Sequence, residues 1–310
     1  DDKLKIDLSA RLDKNENFDY LFSPALSGVY TFNPAQIVRV SLSSAIRNPT
    51  LADQYLYYDV GRALLVGNLD GFDSLVTIES LLNELNTQNV DTLDYFNVDP
   101  IRPEEVKTVE VGYRTTLFKN LYMDLVGYYS WYKKFIGYKI GASVDYVQAV
   151  NLLNVNNIYR VATNSKDEVT TRGVSVGLTY YFKKFFALNG NYSYNVLDRG
   201  NSTDPLIPAF NSPEHKYNIG FSARDLDVYV FKTMHIHNVG FNINYKWIQG
   251  FDFEGSPQFT GFVPSYNLID AQITYKVPKI HCTFKLGSSN LFDNRKFTVY
   301  GGPVVGRMAY

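Results

Sequence analysis

The chain has 310 residues, is 20% charged and carries a formal net charge of −1, a balance that excludes any general electrostatic reach for nucleic acid or an anionic surface. Its 25 tyrosines and 21 phenylalanines, against two tryptophans and three methionines, suit a strand-rich protein, because aromatic and β-branched side chains fit a pleated surface. Cys282 is the only cysteine, which excludes an internal disulfide and any metal site built on paired thiolates.

Taken in chain order, the same alternation returns. Leu4, Ile6, Leu8, Ala10 and Leu12 alternate with Lys5, Asp7, Ser9 and Arg11. Val38, Val40 and Leu42 alternate with Arg39, Ser41 and Ser43, and Val109, Val111 and Tyr113 with Glu110, Gly112 and Arg114. Val174, Val176, Leu178, Tyr180 and Phe182 alternate with Ser175, Gly177 and Thr179. After Lys183 and Lys184 the pattern restarts with Phe186, Leu188, Tyr192 and Tyr194. Tyr217 to Phe221, Val239 to Trp247, Ile269 to Val277 and Cys282 to Leu286 continue it. A strand sends successive side chains to opposite faces, so each segment is a strand with one apolar face. We count about eleven such segments and the start of another, many near the ~9–11 residues that cross a bilayer when tilted. No run of about 18 apolar residues is present, which excludes an ordinary transmembrane helix and leaves barrel strands open.

The connections also alternate. Asn33 to Gln36, Lys119-Asn120, Lys183-Lys184 and Pro278-Lys279 are short, whereas 48–105, 141–167, 199–213, 250–264 and 295–306 are long. Tight turns at one end and long loops at the other are the plan of a transmembrane β-barrel. Charges such as Glu110 and Arg114 would be costly in a dry core. The expectation is therefore all-β, an antiparallel transmembrane β-barrel with apolar residues facing lipid. Tyr180, Phe182, Phe185 and Phe186 would form an aromatic girdle beside a turn.

Several segments then resemble the TonB-dependent outer-membrane transporters. Arg47-Asn48-Pro49-Thr50-Leu51-Ala52-Asp53 is similar to the family's R-x-P-T-x-x-E element, with Asp53 where glutamate is usual. Arg102-Pro103-Glu104 through Glu110-Val111-Gly112 resembles the strand that follows the large loop. Ser212-Pro213-Glu214-His215-Lys216, Asn290-Leu291-Phe292-Asp293, and Gly301-Gly302-Pro303 leading to Gly306-Arg307 resemble later elements in the family's order. The resemblance implies about half of a 22-stranded barrel, roughly 11–12 strands, with the plug absent from this chain. It implies residues 1–310 as the carboxyl-terminal part of the barrel, the last residues missing, with the five long loops extracellular. The implied function is active import of a bulky solute such as an iron chelate, cobalamin, glycan or peptide across the bacterial outer membrane. The implied partners are outer-membrane lipid, the remaining amino-terminal barrel half and plug, the TonB complex acting through the plug, and, as in some members, a surface lipoprotein. A passive porin or envelope-assembly barrel is the alternative, and a soluble carbohydrate-binding β protein a third.

No catalytic constellation is present, and neither an enzyme activity nor a cofactor is expected. Tyr55, Tyr57, Tyr58, Arg62, Tyr95 and Phe96 give the longest loop rings and a cation, suited to stacking on flat ligands and pairing with anions. Arg39, Arg47, Glu110 and Arg114 would face the lumen and seat the plug. His235 and His237 share a strand face, but no third ligand lies beside them in sequence, so they read as a polar connection and no metal is assigned. Asp70 and Asp73 lack the spacing of a calcium loop and read as solvated loop acids.

Overall fold

A computed structural model of the chain describes residues 3–147, 152–202, 204, 206–208, 210–230, 234–254, 260–296, 300 and 302–310. Parts of the connections 141–167, 199–213, 250–264 and 295–306, Gly301 of the Gly-Gly-Pro element included, lie outside the described residues. Twelve strands form one sheet: β1 Leu4–Asp13, β2 Leu21–Asn33, β3 Gln36–Arg47, β4 Glu104–Leu117, β5 Leu121–Lys133, β6 Val169–Phe182, β7 Phe186–Asp198, β8 His215–Val230, β9 Met234–Ile248, β10 Tyr266–Val277, β11 Cys282–Ser289 and β12 Met308–Ala309. Each strand pairs antiparallel with the one before it, so β1 and β12 are the two edges.

The register turns the alternation of each strand into rows across the sheet. Tyr180, Leu188, Phe221, Ile243 and Ala271 stand opposite one another in turn, as do Thr179, Asn189, Gly220, Asn244 and Asp270 on the other face. A one-residue slip would exchange the faces, so the hydrophobic pattern fixes the pairing. The apolar row is not covered by protein: Leu8 is 78% exposed, Val111 50%, Ile243 47% and Leu286 70%. A soluble sandwich would bury these residues against a second sheet. Among the described residues no second layer meets them, and the soluble carbohydrate-binding alternative fails on that point.

Aromatic rings gather at both ends of the apolar face. Near the short turns, Phe182, Phe186 and Phe221 stack with centroids 5.4 and 5.8 Å apart. Near the long connections, Tyr129 meets Trp131 at 4.6 Å and Tyr217 meets Trp247 at 5.4 Å. Along β7 the span from Phe186 to Tyr194 is about 27 Å at ~3.4 Å per residue. With the usual tilt this matches the apolar band of an outer-membrane barrel.

The buried core lies elsewhere, among the long connections. The stretch 48–105 is not a plain loop. It holds α1 Leu51–Tyr55, short strands Tyr57–Asp59, Leu64–Val66, Phe72–Val76 and Tyr95–Val98, and α2 Ile78–Thr87. The stretch 141–167 is likewise mostly strand, and the departure from the membrane sheet comes earlier. Ile136–Val147 pairs with Leu152–Asn164 in a hairpin that stands outside the twelve-stranded sheet. This hairpin is the centre of a second sheet, flanked by Leu64–Val66 and Tyr57–Asp59 on one side and by Phe72–Val76 and Tyr95–Val98 on the other. Its asparagines, Asn154, Asn156 and Asn157, break the apolar alternation, because both faces of this hairpin answer to water and neighbouring loops rather than to lipid. Val66, Leu75, Val98 and Val161 form one buried cluster of this cap, and Val76, Leu81 and Ala142 another.

Candidate functional site

Local sequence holds the cap together. Thr50 and Asp53 form a capping box on α1, each side chain accepting from the other's backbone N–H, which satisfies donors a helix start leaves open. Asn17, in the first connection, donates to Gln54 Oε1 at 2.7 Å and to the Tyr55 hydroxyl at 2.5 Å. Asn68 is buried and donates to the carbonyls of Asp99 and Ala162 at 2.7 and 2.9 Å. Asn164 donates to the carbonyls of Arg102 and Lys134. Lys139 of the hairpin and Asp204 of the 199–213 connection pair at 2.8 Å with both side chains buried. Burial alone pushes the Asp204 carboxyl up, but hydrogen bonds from Lys139 and from the Lys166 backbone bring it below the ordinary carboxylate value.

The cap also carries an open hollow of about 540 Å³ lined by Tyr58, Arg62, Ile140, Ile158, Arg160 and Glu254, among others. Its volume falls within the range of small-molecule sites. Arg160 is 7% exposed, lies over the Tyr138 ring at 4.2 Å and faces Glu254 at 3.6 Å. Burial lowers the pKa of Arg160 and raises that of Glu254, each partly offset by the other's charge. Two guanidinium groups against one carboxylate, beside aromatic and aliphatic walls, suit a flat or branched anionic ligand.

The loop residues singled out in the sequence do not form one site. Tyr57 and Tyr58 lie on one edge strand of the cap sheet, Tyr95 and Phe96 on the opposite edge strand. Tyr58 and Arg62 share the hollow. Tyr55, Tyr57 and Tyr95 are exposed. Phe96 turns inward against the buried cluster of Leu75 and Val98, and a Cβ on Gly141 would meet its ring at 2.7 Å. Its role is packing. Arg160 and Glu254 carried no local motif. They come from different connections, and only their approach in space gives them a common role.

On the polar face of the main sheet, Arg39 reaches Asp124 through two hydrogen bonds of 2.7 and 3.2 Å. Gly112 stands opposite Arg39, and a Cβ there would lie 2.4 Å from the guanidinium Nε. Glu110 and Arg114 occupy the same face, two residues to either side of Gly112. Arg47 sits at the far end of β3, where it pairs with buried Glu104 at 2.8 Å. Glu104 also accepts from the Ile136 backbone N–H, so Arg47 braces the root of the cap. Hollows of about 490 and 320 Å³ mark this face, lined by Lys184, Arg224, Asn242 and Gln272, and by Arg114, Asp124, Asn191 and Asn218.

Comparison with known proteins follows the same line. The family described as TonB dependent receptor-like, beta-barrel matches residues 1–299. The chain is 23% identical over 308 residues to the iron-regulated outer membrane virulence protein of Vibrio cholerae serotype O1, covering 99% of this chain and 41% of that protein. Its fold is similar to that of the siderophore receptor PirA from Acinetobacter baumannii, with TM-score 0.59 and 15% identity over 100% of this chain and 43% of the receptor. It is also similar to a G324V mutant of the ferric enterobactin receptor PfeA from Pseudomonas aeruginosa, with TM-score 0.60 and 16% identity over 98% and 39% of the two chains. The chain thus spans well under half the length of each of these relatives.

Proposed function

We propose, on the footing that this chain belongs to the TonB-dependent receptor β-barrel family, that it forms the capture and conduit part of an outer-membrane importer of iron chelates. The family is one of transporters rather than enzymes, and the chain is an outer-membrane barrel protein. The hollow between Tyr58, Arg62, Arg160 and Glu254 takes the chelate through its anionic groups and flat rings. The polar face carrying Arg39, Glu110, Arg114 and Asp124 contacts a plug domain, whose displacement by TonB opens the way inward. Outer-membrane lipid covers the apolar face.

The observation that carries the reading is the pairing of a bare apolar face with a polar, hollowed opposite face beneath a folded cap. A glycan, peptide or cobalamin would suit the same architecture; the cationic hollow and the iron-linked names of the relatives favour the chelate. The test is uptake of labelled ferric siderophores by iron-limited cells carrying the full protein, with and without TonB. Uptake that needs both supports the reading. Flux that persists without TonB identifies a passive channel instead.

A further inference from the structure

At the end opposite the cap, β8 and β9 outrun their neighbours. β7 pairs with β8 only as far as Ala223, and β10 pairs with β9 only from Val239 onward. Past these points the two strands pair with each other alone among the described residues, held to their neighbours by the Arg224 N–H donating to the Phe185 carbonyl at 3.0 Å and by Lys276 on Asp225 at 2.9 Å. Their register shifts twice, between Ala223 and Leu226 and between Leu226 and Val228. Asp225 and Asn238 take left-handed backbone at these shifts, with φ of 53° and 60°. Such bulges re-aim side chains. Leu226 stays opposite Val239 and Val228 opposite Ile236, which brings Asp227, His235 and His237 together on the other face.

The three side chains are exposed, and their ligand atoms all lie within 4.8 Å of one another. His237 Nδ1 is 2.7 Å from Asp227 Oδ1, the two imidazole rings are 3.8 Å apart, and Tyr229 stacks on His235 at 4.2 Å. Asp227, ten residues from His237, is the third ligand that the neighbouring sequence did not offer. We infer that Asp227, His235 and His237 bind one divalent transition ion of the Zn²⁺ or Cu²⁺ class, with solvent completing its coordination. Two imidazoles and a carboxylate suit that class and not Mg²⁺ or Ca²⁺, which prefer all-oxygen ligands. Tetrahedral zinc would hold its donors about 3.4 Å apart, a spacing that exposed side chains reach by rotation about their own bonds. The bound ion would clamp a two-stranded ribbon that runs past the pairing of its neighbours, an arrangement only marginally stable alone.

The chain contains four histidines, so the other two, His215 and His281, serve as controls. Zn²⁺ is titrated calorimetrically into the detergent-solubilised full protein, and Cu²⁺-loaded samples are examined by electron paramagnetic resonance. The expected result is a saturable site of one ion per chain, with two nitrogen couplings in the copper spectrum. His235→Gln, His237→Gln and Asp227→Asn should each weaken binding more than tenfold, whereas His215→Gln and His281→Gln should leave it unchanged. Heat-modifiable gel migration checks that each variant is folded, and His235→Ala or His237→Ala replaces one that is not. Unchanged affinity in folded His235→Gln and His237→Gln overturns the site. Unchanged affinity in Asp227→Asn alone overturns the three-ligand set.

Discussion

In the cap, Asp204 and Glu254 are shifted in opposite directions from the ordinary carboxylate value. Lys139 and Asp204 are buried together, and removing one charge from such a pair strands the other, at a cost of about 3–5 kcal/mol. Asp204→Asn should therefore lower the opening free energy of the 199–213 connection, read by hydrogen exchange, by roughly that much. Its carboxyl is held below the ordinary value. The pair's contribution is thus complete above about pH 4 and is lost as pH falls through the depressed folded value. Glu254 has the opposite sign: burial raises its pKa, so it gains its proton while ordinary carboxylates are still charged. The hollow then becomes more cationic as pH falls, and the ferric chelate proposed as its ligand should bind more tightly there. Glu254→Gln should tighten binding at neutral pH and flatten that dependence, measured by fluorescence quenching of the full protein across pH. A slope unchanged in Glu254→Gln would show that another group governs it.

Strands carry the second set of consequences. For the strands whose alternation the sequence displays, such as Val38–Leu42, Val109–Tyr113 and Val239–Trp247, the lipid face was legible from that alternation alone, because a period of two leaves no other arrangement once one side must meet lipid. Ile243 lies mid-face among exposed apolar neighbours. Ile243→Lys should cost about 2–4 kcal/mol in bilayer unfolding titrations, the depth-dependent cost of a lysine facing lipid. Asn191→Lys, on the polar face opposite Asn218, should be nearly silent in the same assay. Gly112 is a case where a small residue makes room for a charge. Gly112→Val should displace the Arg39 guanidinium from Asp124, which a crystal structure of the variant would reveal, while the sheet register stays in place. The cap strands were not legible in this way. Ile136–Val147 and Leu152–Asn164 are flanked by other loops rather than by lipid, so no simple alternation marks them. The first of them begins at Ile136, upstream of the expected start at 141.

For the whole molecule, the twelve-stranded sheet leaves one edge of β1 and one edge of β12 without a strand partner among the described residues. Unpaired backbone at an edge is not tolerated in hydrocarbon, so further strands must complete the cylinder. Expressed alone, the chain should fail to show heat-modifiable migration after refolding into vesicles. Supplying the amino-terminal strands of the full protein should restore it. A stable, inserted species from the chain alone would require β1 and β12 to meet directly.

Composition, alternation and the rhythm of short and long connections were enough to determine an antiparallel membrane sheet and which of its faces meets lipid. These are nearest-neighbour properties, written residue by residue along each strand. Only the tertiary structure decided that Tyr58 and Arg62 meet Arg160 and Glu254 while Phe96 turns into the core, and that Asp227 joins His235 and His237. Such meetings depend on how separate connections pack and on bulges that shift register, and neither leaves a periodic trace in the chain.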